Sequence, residues 1–294
     1  MSELAVVTPT YRPDADLFAH LHRSVLEHTP GDTVHHVVVP ASDRELFAGY
    51  AGPRCRVWTY PEILPRRLTH LPGTALWIDP ARPWPPLRGW VVQQAAKVAV
   101  TARLDARVVL VADSDVVLVR DARPGHLVRD GRVVLHRADG AVHDGMPEHV
   151  TWHRVARELL GLPATAVPPL PDYVSSLVCW DPAVVRAMIE RIAETTGRDW
   201  LDAFTAHLRV SEFIVYGVFV DEVLKADPPV DTALCHSRWD RAPLDHAGAV
   251  AFADRLGPGA IGMMISAKSR TPVAARLAAI LRCAQVTGLD GSLS

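Results

Sequence analysis

The chain has 294 residues, 49% of them hydrophobic, with 31 basic and 33 acidic side chains and a formal net charge of −2. That balance excludes a general nucleic-acid or membrane-surface binder, and no apolar run reaches transmembrane length. The size suits one large α/β domain or two closely fused halves.

The first residues, MSELAVVTPTYRP, pass directly into a strand pattern, with no charged leader or cleavage site. Leu4 to Val7 is a short apolar strand ending in the turn Thr8-Pro9-Thr10-Tyr11-Arg12-Pro13. Asp14 is placed to cap the next helix, where Leu17, Leu21, Val25 and Leu26 recur at helical spacing. Val34 to Val39 is a second buried strand, and Ser42 precedes a short helix with Leu46 and Phe47 that it is placed to cap. Cys55 to Thr59 is a third strand. This opening reads β-α-β-α-β, half of a doubly wound sheet. Pro61 to Pro86, rich in Pro, Arg and Trp, is expected to be an irregular excursion. Gly89 to Leu104 is a helix with Val92, Ala95, Ala96, Val98 and Ala99.

The segment Val108 to Arg120, VVLVADSDVVLVR, is the most informative. An unbroken β-branched run reads as a strand buried on both faces, as in the middle of a parallel sheet. In open α/β sheets ligands bind beyond the carboxyl ends of such strands. Asp113 and Asp115 are therefore delivered to the place where ligands bind. Paired carboxylates suit a hard divalent cation that also holds phosphate oxygens. The alternative is a turn whose Asp side chains cap backbone amides.

The second half is less regular. Strands are expected at Val133 to His136, Val174 to Trp180 and Ala260 to Ile265. Helices are expected at His153 to Leu160, Pro182 to Glu194, Ser211 to Lys225 and Pro272 to Val286. Cys55, Cys179, Cys235 and Cys283 are far apart, lack metal-ligand spacing, and read as small buried residues of a reduced, cytoplasmic protein.

The T-P-T-Y-R strand exit, the helix R-G-W-V-V-Q-Q-A-A-K and the strand ending A-D-S-D together resemble a bacterial glycosyltransferase of the GT-A type. With the later S-E-F-x-x-Y-G and L-C-H-S-x-W-D segments, the chain is more closely similar to a group of bacterial proteins known only as a domain of unknown function. The resemblance runs from about Leu4 to Ser269. It implies one GT-A-like, Rossmann-like domain over residues 1–294, a doubly wound mixed sheet flanked by helices. A nucleotide-sugar half would span about 1–135 and an acceptor half about 136–294. It also implies a nucleoside diphosphate sugar donor, Mn²⁺ or Mg²⁺, and a small-molecule or glycan acceptor.

On that resemblance, Asp115 binds the metal, and Asp113 and Ser114 touch metal or ribose. His236, in C-H-S-R-W-D, is a further metal ligand or a packed loop residue. Thr8, Thr10 and Arg12 contact base and ribose, or serve only as turn residues. Arg88, Gln93, Gln94 and Lys97 reach base, ribose or diphosphate, with a solvated face as the alternative for Lys97. Glu212 is the general base that inversion requires, or an acidic residue favoured in the first turn of a helix capped by Ser211. Asp172 is the competing carboxylate, while Asp221 and Glu222 read as structural or solvated. Ser266 and Lys268 follow the late strand, where Lys268 neutralises diphosphate or is a surface lysine. Of Trp77, Trp84, Trp90, Trp152, Trp180 and Trp239, core packing is the common role, and Trp152 and Trp239 are the ones singled out for ligand stacking.

The second function considered is a nucleotidyltransferase, which normally carries a Gly-rich phosphate loop after the first strand; T-P-T-Y-R-P has no glycine. The third is a catalytically inactive nucleotide-sugar-binding protein. A hydrolase is disfavoured by the lack of a G-x-S-x-G elbow. Oligomeric state is left open.

Overall fold

Valine-rich segments with no polar positions need apolar cover on both faces. In the computed structural model, which describes residues 2–71, 73–80 and 82–288, they receive it. Met1, Pro72, Ala81 and 289–294 of the expected domain lie outside the described residues. The strands that position the site are β1 (Ser2–Pro9), β2 (Val34–Val39), β3 (Cys55–Thr59), β4 (Ala106–Ala112), β5 (Val116–Leu118), β6 (Leu177–Trp180), β7 (Cys235–Arg238) and β8 (Gly262–Ile265). The helices are α1 (Ala15–His28), α2 (Gly89–Arg103), α3 (Pro147–Leu159), α4 (Pro182–Thr196), α5 (Glu212–Val218), α6 (His246–Ala253) and α7 (Val273–Thr287).

The main sheet has the order β6-β4-β1-β2-β3. Strands β1 to β4 run parallel, and β6 pairs antiparallel to β4, with Leu177 opposite Ala112. Alternate residues enter different cores. Ala5, Val7, Val109 and Val111 pack with Val92 and Ala96 of α2 and Met188 of α4. Leu4, Val6, Val108 and Leu110 pack with Leu21 and Val25 of α1. The fold is thus mixed α/β, a largely parallel sheet flanked by helices, as expected. A smaller sheet, β7-β8-β5, grows from the end of β4, and α6 and α7 cover it through Phe252, Ala253, Ala279 and Cys283.

Several local expectations need correction. The excursion after Pro61 is an antiparallel sheet of Thr69–His70, Leu76–Asp79 and Arg82–Arg88. Its prolines obscure a period-two pattern in which Trp77 and Leu87 point inward. Only Arg132–Val133 forms a strand near 133–136, and the strand expected from Val174 begins at Leu177. Ser42 caps nothing; its hydroxyl donates to Asp43 at 3.3 Å. The helix starting at Ser211 ends as α5 at Val218 and continues as a π turn, Phe219–Val223. Asp221 there accepts from Tyr173 Oη at 2.6 Å and from Arg137 at 3.2 Å, and Glu222 pairs with Arg157. Both are structural.

Gly217 of the S-E-F-x-x-Y-G segment has a steric reason. A Cβ at that position would sit 2.2 Å from the Tyr173 ring. Gly217→Ala is therefore expected to destabilise the protein by roughly 1–3 kcal/mol through overpacking. A lowered urea midpoint checks this; an unchanged midpoint contradicts it.

Burial and Arg56 lower the His36 pKa from 6.5 to about 4, and the Trp58 indole N–H donates to His36 Nδ1 at 3.1 Å. The unfolded chain protonates this imidazole below about pH 6.5, whereas the folded chain resists until about pH 4. The His36 contribution is fully present above pH 6.5 and is lost as pH falls toward 4, at roughly 2–3 kcal/mol. Unfolding free energies at neutral and acid pH should diverge more for wild type than for His36→Gln. Equal divergence contradicts this.

Candidate active site

Strand β4 ends in a tight turn carrying Asp113, Ser114 and Asp115, and the chain then re-enters as β5. The Asp113 N–H donates to Ser176 O at 3.0 Å, and the Val116 N–H to Asp113 O at 3.1 Å. Ser114 is buried and its hydroxyl donates to the Asp14 carboxylate at 2.9 Å. Asp14 occupies the position before α1, yet its side chain makes no capping hydrogen bond. The expected cap is instead a third carboxylate at the turn. Asp115 Oδ2 accepts the Ala267 N–H at 2.7 Å, which ties the turn to the loop after β8.

These acids crowd one another. Burial pushes the Asp115 carboxyl up to about 6, with Asp113 and Asp14 adding to the shift against the Ala267 N–H and Arg276. Burial also raises Asp14, with Asp113 adding and the Ser114 hydroxyl opposing.

Lys97 overturns the solvated-face alternative, because it is buried. Its Nζ lies 2.8 Å from Asp113 Oδ1, 3.0 Å from Glu212 Oε1 and 4.5 Å from the Phe213 ring centroid. Burial alone disfavours the ammonium, but the two carboxylates outweigh it and hold Lys97 above its usual range. Gln94, one turn earlier on α2, accepts the Glu212 N–H at 3.0 Å and donates to Trp90 O at 3.5 Å. It joins helices, which is why a polar residue is tolerated in an apolar helix. Gln93 is half-buried and Arg88 exposed.

Glu212 needs a different role from the one expected. Its side chain is 3% exposed and committed to Lys97, and Ser211 caps α5 by accepting the Ile214 N–H at 3.4 Å. A buried, ion-paired carboxylate is not presented to an acceptor hydroxyl. Thr8 is also out of reach, fully buried with Oγ1 2.9 Å from His35 Nε2. Thr10 is buried too, and its Oγ1 has no hydrogen-bond partner among the described residues. The Arg12 N–H donates to Asp43 at 2.7 Å, while its guanidinium stays 65% exposed.

His236 is packed against Phe252. Its ring stacks on Phe252 at 4.2 Å, and Nε2 lies 2.9 Å from the Phe252 carbonyl. A carbonyl only accepts, so Nε2 carries the proton and Nδ1 is left as the ring nitrogen with a free lone pair. Ser266 is buried and its Oγ accepts the Lys268 N–H at 3.3 Å, whereas Lys268 is exposed. Asp172 lies outside the acid turn, with Oδ1 accepting the Val174 N–H at 3.0 Å and Oδ2 3.3 Å from His149 Nδ1.

Arg276 was not anticipated. Buried on α7, it donates to the carbonyls of Ile265 at 2.5 Å, Ser266 at 2.9 Å and Thr271 at 3.1 Å. Asp115 and Asp14 both feel its charge. A signal existed: Arg276, Ala279 and Cys283 share one buried helical stripe. Asp14, Asp113, Asp115 and Glu212 bring four negative charges to this site, and Lys97 and Arg276 bring two positive ones. Two negative charges remain. Among the described residues, no group of three or more His, Cys, Asp or Glu is arranged to hold a metal ion.

A family model described as a family of unknown function, DUF6492, matches residues 4–253. The chain belongs to the DUF6492 family. The matched span of this DUF6492 protein includes Asp14, Lys97, Asp113, Asp115 and Glu212 and stops before β8 and Arg276. No curated protein matches its sequence. Among solved structures, it is similar to mouse xyloside xylosyltransferase 1 in the apo form. That pair has 12% identity over 92% of this chain and 99% of that one, with a TM-score of 0.43. It is also similar to the galactosyltransferase LgtC in complex with donor and acceptor sugar analogs. There the identity is 10% over 99% of this chain and 97% of that one, with a TM-score of 0.48. At these identities and TM-scores, neither neighbour's activity transfers to the DUF6492 protein.

Removing one partner from a buried ion pair costs about 3–5 kcal/mol. Lys97→Met leaves two carboxylates without their counter-ion and should destabilise by about that amount in urea unfolding. Adding Glu212→Gln should recover part of the loss. An unchanged midpoint in Lys97→Met contradicts the arrangement.

Proposed function

We propose that this protein is a glycosyltransferase whose nucleoside diphosphate sugar donor binds through Mn²⁺ or Mg²⁺ at Asp113 and Asp115. The observation that carries the reading is the surplus of two negative charges on carboxylate oxygens beyond the end of a central parallel strand. One divalent cation balances it.

The donor chemistry fits such an ion. Asp113 Oδ1 faces Lys97 and Asp115 Oδ2 faces the Ala267 N–H, while the second oxygen of each takes no hydrogen bond from the described residues. Mg²⁺ is commonly held by one or two carboxylates, with substrate phosphates and water completing its shell. A third protein ligand is not required. Bound there, the cation would stabilise the charge that develops on the departing nucleoside diphosphate.

The chain's own residues do the positioning. Lys97 fixes Asp113, and the Ala267 N–H aims Asp115. Lys268, the residue after Ala267 and exposed, is assigned to the diphosphate. Arg12, on the loop after β1 and exposed, is assigned to the nucleotide. Thr8, Thr10, Gln94 and Glu212 serve the frame. Residues 1–135 and 136–294 are assigned to donor and acceptor. No helix among the described residues is long and apolar enough to cross a membrane. The reading includes a cytoplasmic setting, a small-molecule or glycan acceptor and no nucleic-acid partner. A nucleotidyltransferase is less well supported, because the loop after β1 lacks glycine.

Thermal unfolding with UDP, GDP, CDP and dTDP, each with and without Mn²⁺, tests the reading. A ligand at a hundredfold excess over its Kd adds about 2.7 kcal/mol to stability. One nucleotide should stabilise the protein only with metal, and Asp115→Asn should abolish the effect. Stabilisation by none of them with metal present sinks the proposal. Binding with no turnover of any sugar donor would leave a nucleotide-sugar-binding protein.

A further inference from the structure

A row of rings stands beside the acid turn. Trp90 lies in the first turn of α2, and His149 and Trp152 lie three residues apart on α3, so they share a face. The His149 and Trp152 ring centroids are 4.5 Å apart, and those of Trp152 and Trp90 5.6 Å, with tilts of 39° and 35°. Asp172 closes the row, its Oδ2 3.3 Å from His149 Nδ1, near enough for charge contact though not aligned as a hydrogen bond. Burial acts to raise the Asp172 carboxyl, but His149 and the Val174 N–H hold it below its ordinary range. Trp90 is 41% exposed. The Trp152 indole nitrogen is buried with no hydrogen-bond partner among the described residues. An unpaired buried donor in a native protein needs a reason.

The row's position follows from the helix and the sheet. Trp90, Gln94 and Lys97 form one stripe at i, i+4 and i+7. Seven residues at 1.5 Å rise put Trp90 about 10 Å along α2 from Lys97, which holds Asp113. Strand β6 runs antiparallel to β4 with Leu177 opposite Ala112, so the residues from Asp172 to Ser176 lie beyond the carboxyl end of β4. Aromatics and acid turn therefore occupy the same edge of the sheet.

A pyranose presents an apolar C–H face and a rim of hydroxyls. Indole faces suit the first, and a carboxylate beside an imidazole suits the second. A lipid tail has the apolar surface but no polar rim. We propose that Trp90, Trp152, His149 and Asp172 form a saccharide subsite that holds the acceptor. The His149 imidazole beside the Asp172 carboxylate gives the rim a ring nitrogen and a carboxylate acceptor for sugar hydroxyls. The acceptor role rests on the glycosyltransferase reading; the saccharide affinity does not.

The test is saturation-transfer NMR with methyl β-D-glucoside, methyl β-D-galactoside and methyl α-D-mannoside, with and without Mg²⁺ and nucleoside diphosphate. Wild type should transfer saturation to at least one glycoside. Trp90→Ala and His149→Ala should each weaken that binding about tenfold. Trp84→Ala, at an 80% exposed indole outside the row, should not. Metal-dependent nucleotide stabilisation should be the same in all three variants. Nucleotide binding with no glycoside binding overturns the subsite and leaves the glycosyltransferase reading standing. Glycoside binding lost in Trp90→Ala, with no nucleotide binding at all, keeps the subsite and removes that reading. Equal glycoside binding by wild type and Trp90→Ala overturns the subsite.

Discussion

The ammonium of Lys97 is the constraint on which the site depends. A lysine taken out of water is costly unless opposite charges and hydrogen bonds surround it. Asp113 and Glu212 supply both. In doing so they bind α2 to the turn after β4 and to the start of α5. Gln94 repeats the connection through the Glu212 backbone. The acid turn is thus fixed from the α2 side by buried charge. It is fixed elsewhere by the Ser114 hydroxyl on Asp14 and the Ala267 N–H on Asp115.

The charges divide into two sets, each short of one positive charge. Lys97 serves both Asp113 and Glu212, and Arg276 stands against both Asp14 and Asp115. Arg276 also spends its hydrogen bonds on backbone carbonyls, so it acts on the carboxylates through space. Burial of Asp115 beside Asp113 and Asp14 raises its carboxyl, and under the proposed function the same imbalance is what a divalent cation would balance. Holding these like charges together is a cost that the fold's buried contacts offset.

Much of the fold was legible because strand burial leaves a pattern. The runs Val34–Val39 and Val108–Ala112 carry no polar break after their central positions and occupy sheet interiors. The turn carboxylates were legible for the same reason, since a buried parallel strand delivers its end to the ligand edge. What escaped was decided by tertiary partners. Asp14 reads as a helix cap until Ser114 arrives from a hundred residues away. Glu212 reads as an exposed first-turn acid until Lys97 is found buried beneath it. His236 and Thr8 have the right chemistry for a ligand but face Phe252 and His35. The antiparallel sheet near Trp77 was hidden because prolines break its alternation.

The central claim is that a divalent cation belongs at the turn after β4. The direct measurement is anomalous diffraction from crystals grown with Mn²⁺ and the nucleoside diphosphate. The account predicts one manganese peak in contact with the carboxylates of Asp113 and Asp115. It predicts Lys97 still on Asp113 and no contact from His236. Full-strength manganese bound elsewhere, or none at Asp113 and Asp115 with nucleotide present, would contradict it.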